Sequence, residues 1–206
     1  MEIYMDNNID KGFSVIADID GDFNDVMNFE TPDEVPILPV RNLVLFPGVI
    51  SPILIGRESS MALVKRAERK NSIIGIVCQR DPEVEYPDFD DLYHYGVFAK
   101  VMKRLNLPNG SVTCIIQGLG RLRLKEVTSR KPFLTGRVEA SWEALPDSKD
   151  GEFRTAMDDL RNMVNEYVSK NDELPDEASF AIRNIDNNVM AMNFTCSNMP
   201  FGIKDK

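Results

Sequence analysis

A chain with one histidine and three cysteines has little material for metal or thiol chemistry. Cys78, Cys114 and Cys196 lie far apart in apolar surroundings, and no C-x-x-C or Cys/His cluster occurs. That argues against a zinc site and a disulfide framework, and fits reduced thiols in a cytoplasmic protein. Also missing is any apolar run of the roughly 18–20 residues that a membrane span needs. The opening "MEIYMDNNIDKGF" has no basic stretch followed by an apolar one, so no secretory leader is expected. No G-x-x-x-x-G-K-[ST] loop, G-x-S-x-G elbow or H-E-x-x-H pair is present. Three common routes to ATP binding or hydrolysis are thereby removed. "GLG" at Gly118–Gly120 lacks the third glycine of a dinucleotide fingerprint and sits in a strand pattern. It reads as a bulge or bend that lets a sheet curl.

Basic charge is scarce at one end. Residues 1–35 carry ten of the 33 acids and only one of the 24 bases, Lys11, so the remaining chain is balanced at 23 of each. The first 35 residues therefore read as a flexible acidic arm. "DIDGDFND" from Asp18 is no EF-hand calcium loop, because glycine falls at its fourth position and Phe29 at its twelfth. The neutral body disfavours nucleic acid and anionic membranes as partners. His94 reads as structural, since a catalytic histidine needs partners and none is indicated. The carboxylates of "EVEYPDFDD" read as a hydrated loop, because acid/base work needs a tuned and partly buried setting.

What is present is a β pattern followed by a helical one. "PILPVRNLVLFPG" (36–48) opens the folded body, with prolines that exclude a helix and a Pro-Gly turn signal at its end. "SPILI" is a second short strand. "ESSMALVKRAERK" reads as a helix capped by Ser59 or Ser60, with its cations crowded toward the C-terminal end. "SIIGIVCQ" (72–79) is apolar enough for a buried strand. "YGVFAKVMKRLNL" and "SVTCIIQGLGRLRLKEV" flank Pro108–Gly110 as a hairpin, and a last strand is expected from about Phe133 to Leu145. After Pro146 the period changes from two to 3.6. Phe153, Met157, Leu160, Val164, Tyr167 and Val168 form one stripe of a helix to about Ser169. "LPDEASFAIRNI" and "DNNVMAMNFTCSNM" read as a second and third helix. The expected division is an acidic arm at 1–35, a β-rich lobe at 36–146 and a helical lobe at 147–206.

Three of these stretches carry a resemblance. A proline-led strand with Pro36 and Pro39 ends in Phe46-Pro47-Gly48. G-x-x-A-x-V follows at Gly96 and Ala99, then L-P-N-G with Pro108 and Gly110, then Q-G-x-x-R with Gly118 and Arg121. In this order and spacing they resemble the amino-terminal domain of the Lon family of ATP-dependent serine proteases, over roughly residues 36–206. The resemblance implies an α+β fold: a PUA-like pseudo-barrel of about six strands with one inserted helix, then a lobe of about three helices. It implies that a AAA+ module using ATP and Mg, and a Ser–Lys protease module, belong to the parent protein beyond Lys206. It also implies no catalysis and no cofactor in this chain. The implied partners are unfolded, damaged or tagged proteins and other subunits of a parent homohexamer. A stand-alone adaptor built on the same domain is the alternative.

Leu45, Phe46, Pro47 and Val49 are the candidate contact residues for such clients. They sit at a turn, where an exposed apolar rim would meet unfolded polypeptide. The other reading of the same residues is core plus turn.

Overall fold

The structure, a computed structural model, describes residues 15–16 (backbone only), 29–106, 112–141, 146, 150–170 and 185–206. Seven strands form one mixed sheet. They are β1 (Val15–Ile16), β2 (Glu34–Val40), β3 (Val49–Ile55), β4 (Ile74–Gln79), β5 (Leu92–Asn106), β6 (Val112–Ser129) and β7 (Thr135–Ser141). Helix α1 (Glu58–Lys70) is inserted between β3 and β4; α2 (Gly151–Ser169) and α3 (Asn188–Asn198) follow the sheet.

The sheet curls into a ring. β2 runs parallel to β4, β4 antiparallel to β5, β5 to β6 and β6 to β7. β7 then returns to β2 through Glu34–Pro36 opposite Thr135–Arg137. The 18-residue β6 makes this possible: its first part pairs with β3 and β5, and its last part with β7. The expected pseudo-barrel with one inserted helix is what forms, with six longer strands and the two-residue β1. Antiparallel pairing of Val15 and Ile16 with Ile50 and Val49 places a strand within the stretch read as arm. β2 begins at Glu34, two residues before Pro36, because Glu34 and Val35 pair with β7.

Period-two alternation distributes side chains to two cores. Val35 and Ile37 of β2, Val77 of β4, Phe98 of β5, and Leu122 and Leu124 of β6 fill one. Leu38 and Val40, Ile74 and Ile76, Val97 and Ala99, and Cys114 and Ile116 join the other, with Leu63, Val64 and Ala67 of α1. Both faces of β4 are thus covered, and all six of its residues are buried. That accounts for its unbroken apolar sequence.

α1 starts at Glu58 with Arg57 at its N-cap, so neither Ser59 nor Ser60 caps it; Ser60 is buried instead. At the other end Asn71, in the left-handed region at φ 50°, closes the helix and its N–H bonds back to Ala67 and Glu68. α2 and α3 are each capped by a side chain, Asp150 and Asn187. Met157, Val164 and Val168 of the expected stripe are buried against α3, while Tyr167 is 39% exposed and lies off it. The helix expected over "LPDEASFAIRNI" and the Pro108–Gly110 turn lie outside the described residues. Among the described residues no helix is long and apolar enough to cross a membrane.

Candidate functional site

The chain reverses between β2 and β3 through two residues of positive φ, Asn42 at 53° and Gly48 at 78°. Gly48 suits that conformation because it has no Cβ to clash. The reversal lays Leu45 and Phe46 back onto the sheet. Gly118 of β6 makes the approach close: a Cβ there would stand 2.2 Å from the Phe46 carbonyl oxygen. Gly48 N–H donates to the Gly118 carbonyl at 3.0 Å.

Two further groups close over this turn. The Arg121 guanidinium lies 5.7 Å from the Phe46 ring centre and donates to Asn193 Oδ1 of α3 at 3.0 Å. Asn193 Nδ2 donates in turn to the Pro47 carbonyl at 3.1 Å. Asn193 is 3% exposed. The part-buried charge-assisted bond contributes at most about 1.5–3 kcal/mol, and the buried neutral one about 1 kcal/mol. Together they clasp the β lobe to the helical lobe.

The clasp decides the fate of the apolar rim. Leu45 and Phe46 are 4% exposed and Val49 is 1% exposed, and Pro47 is buried too. The turn and α3 cover them. They are core plus turn in this structure, and no open apolar rim forms there.

The open surface is elsewhere. A groove of about 1460 Å³ runs between the end of β2 with its following loop, the end of β3, the start of α1 and residues 83–86. Leu54 and Tyr86 line it at 68% and 82% exposure. Two of its lining side chains, Arg41 and Arg57, reach one backbone oxygen. The Val84 carbonyl accepts from Arg57 at 3.2 Å, from Gln79 at 2.9 Å and, more distantly, from Arg41 at 3.5 Å. Arg57 also bonds to Gln79 Oε1, and its Nε is buried without a partner. Burial and the neighbouring Arg41 hold the Arg57 pKa below its usual value.

The three thiols are held in their protonated form. Burial pushes the Cys114 thiol up to about 11 and raises those of Cys78 and Cys196, which disfavours the reactive thiolate. His94 stacks on Phe89 with ring centres 4.2 Å apart, a packing role. In the carboxylate loop, Asp88 caps the short helical turn Phe89–Asp91 and pairs with Arg130, which holds its carboxyl below the usual range. Among the described residues no three His, Cys, Asp or Glu side chains gather to hold a metal.

The family model for the substrate-binding domain of ATP-dependent protease La (LON) matches residues 34–206. The chain belongs to the Lon substrate-binding domain family. It is 38% identical to the Lon protease of Parabacteroides distasonis over 204 residues, 98% of this chain and 25% of that protein. It is also 38% identical to the Lon protease of Flavobacterium johnsoniae over 185 residues, 90% of this chain and 23% of that protein. The chain thus spans about a quarter of the length of the curated relatives it matches. The fold is that of the N-terminal domain of Mycobacterium avium complex Lon protease, at a TM-score of 0.58 and 17% identity over 81% of this chain and 84% of that one.

Of the residues that carry the Lon resemblance, Phe46, Gly48, Ala99, Gly118 and Arg121 meet around one turn. Ala99 of β5 lies opposite Gly118 of β6, and Val97 opposite Arg121, with a register shift between them. Gly96 meets the next strand as Gly118 meets the turn, since a Cβ there would stand 2.2 Å from the Ile76 carbonyl oxygen. Pro36 and Pro39 lie in β2. Pro108 and Gly110 lie outside the described residues. The role of Asn193 as the partner of Arg121 escaped sequence reasoning, which reads "NFT" only as a glycosylation sequon; its buried amide is committed to the clasp. Arg57 and Gln79 were missed as well. Their signal was a charge between Gly56 and a helix, and an amide ending the apolar run of β4.

Proposed function

We propose that this chain is the client-recognition part of a Lon-type protease, engaging unfolded, damaged or tagged proteins and handing them to ATP-driven modules of a parent enzyme. Membership in the substrate-binding family over residues 34–206 carries the reading. ATP and Mg chemistry and peptide-bond cleavage belong, in this reading, to parts of the parent outside these 206 residues. The domain also supports assembly of the parent ring, and the parent works in the cytoplasm. Recognition of this sort is weak for one isolated domain, because a shallow surface gains little after the entropy lost on association. A Kd of roughly 0.1 mM, about −5.5 kcal/mol, is the expected scale.

Titrating the labelled chain with a reduced, alkylated and therefore unfolded protein, followed by NMR, tests this. Progressive shifts with the unfolded form and none with its native form are expected. Absence of shifts at millimolar client would defeat the reading. The adaptor alternative shares this binding. It is separated by reading the coding frame after Lys206, where a protease parent requires G-x-x-x-x-G-K-[ST].

A further inference from the structure

Resting on that reading, we infer that the groove lined by Leu54 and Tyr86 is where the client sits, and that its occupant is an extended apolar segment flanked by basic residues. The argument begins with size. About 1460 Å³ exceeds the roughly 300–1,000 Å³ of small-ligand pockets, so a stretch of polypeptide fits better than a metabolite.

The strand edges facing the groove set the manner of binding. Pro52–Ile55 of β3 pair with β6 on one side, and Leu38–Val40 of β2 pair with β4 on one side; among the described residues no strand pairs with the other side of either. Each of these stretches holds a proline, Pro39 in β2 and Pro52 in β3, with no N–H to give. Proline blunts an edge against strand addition. Clients are therefore held by side-chain contact rather than by extending the sheet, which suits a surface that must accept many sequences. Leu54 and Tyr86 supply that contact, because both are large, apolar and solvent-facing.

Charge selects the flanks. The groove is lined by three carboxylates, Glu58, Glu83 and Glu85, against two guanidiniums, Arg41 and Arg57. Arg57 is half-buried and donates to the Val84 carbonyl of the protein's own loop, while Arg41 stays exposed and reaches that oxygen at 3.5 Å. Three exposed carboxylates against one exposed guanidinium leave the rim acidic. Lysine or arginine beside an apolar core complements it, and aspartate or glutamate is repelled.

The test uses the full chain and fluorescent twelve-residue peptides with a Leu/Val/Ile core, ended by lysines or by glutamates, with anisotropy as the readout. The lysine-ended peptide should bind several-fold more tightly than the glutamate-ended one at low salt. Leu54→Ser and Tyr86→Ser combined should weaken it about tenfold with an unchanged thermal midpoint, since both side chains are exposed. Met163→Ser, at an equally exposed site on α2, should leave binding unchanged. Unaltered affinity in the groove variant, or loss in the Met163 variant, overturns the groove while the recognition function stands. Equal or tighter binding of the glutamate-ended peptide overturns the basic flanks. Failure of the unaltered chain to bind either peptide or the unfolded protein overturns both the function and the groove.

Discussion

The β lobe and the helical lobe solve the packing problem differently. The ring is built from branched aliphatics whose backbones touch: a Cβ at Gly96 or Gly118 would collide with a carbonyl at 2.2 Å, and one at Gly136 with Leu124 at 2.6 Å. The helical core is built on Met157, Met190 and Met199 with Val164, Val168, Ile185, Val189 and Phe194. Methionine is flexible and fills irregular gaps. One region thus demands particular shapes, and the other mainly demands apolar volume.

The largest break in that contrast is expected from Gly118→Val. Its side chain must displace the turn carrying Phe46, and overpacking of this kind costs about 3 kcal/mol. Urea unfolding followed by circular dichroism measures it. An alkaline effect comes next. Cys114 is wholly buried in the ring and its thiol pKa is raised from 9.0 to about 11. The folded state therefore retains a proton that the unfolded chain releases, so stability is intact below pH 9 and falls as pH rises toward 11, by roughly 2–3 kcal/mol. Cys114→Ala should reduce that slope in the pH dependence of the urea midpoint, with Cys78 and Cys196, whose thiols are also raised, carrying the remainder. Thiol labelling at pH 8 should also reach half-buried Cys196 before Cys114. Asn193→Ala should cost about 2 kcal/mol, by leaving the buried Pro47 carbonyl without its donor and removing an acceptor of Arg121. Its distinctive sign is a loosening of the helical lobe from the ring, read as separated transitions by near-UV and far-UV signals. Met190→Leu is the smallest, about 1 kcal/mol or less, because the volume is kept. A cost for Met190→Leu as large as that for Gly118→Val would erase the distinction between the lobes.

Local features were legible in the sequence because local chemistry makes them. The α1 span follows from its residues, β4 from its unbroken apolar run, and the Pro47-Gly48 reversal from glycine's freedom at φ 78°. The glycine bend was visible too, and a register shift of β5 does lie beside Gly118. Ring closure was not. Glu34–Pro36 meet Thr135–Arg137 across about a hundred residues of chain, and no periodicity records that pairing. The last strand begins at Thr135 rather than Phe133 and is described to Ser141, and residues 142–145 of the expected span lie outside the described residues. The apolar turn at Leu45–Val49 carries the same composition whether it lines a rim or a core. Only the arrival of Asn193 from α3 decides for the core, and a single buried amide leaves no pattern to read. The groove is hidden for a related reason: Leu54 and Tyr86 look like core residues in a sequence, but alternation along β3 turns Leu54 outward between buried Ile53 and Ile55, and Tyr86 stands in a loop.

The ring that begins with Glu34 and ends with Arg137 also sets a schedule for biosynthesis. β2 has no partner from β7 until about a hundred further residues have been translated. At about 5–20 residues per second that is a wait of roughly 5–20 s. During it an apolar strand stands incomplete beside the ribosome. Pro36 and Pro39 within that strand make it a poor template for neighbouring nascent chains. The same prolines that punctuate the mature sheet thus guard the unfinished one.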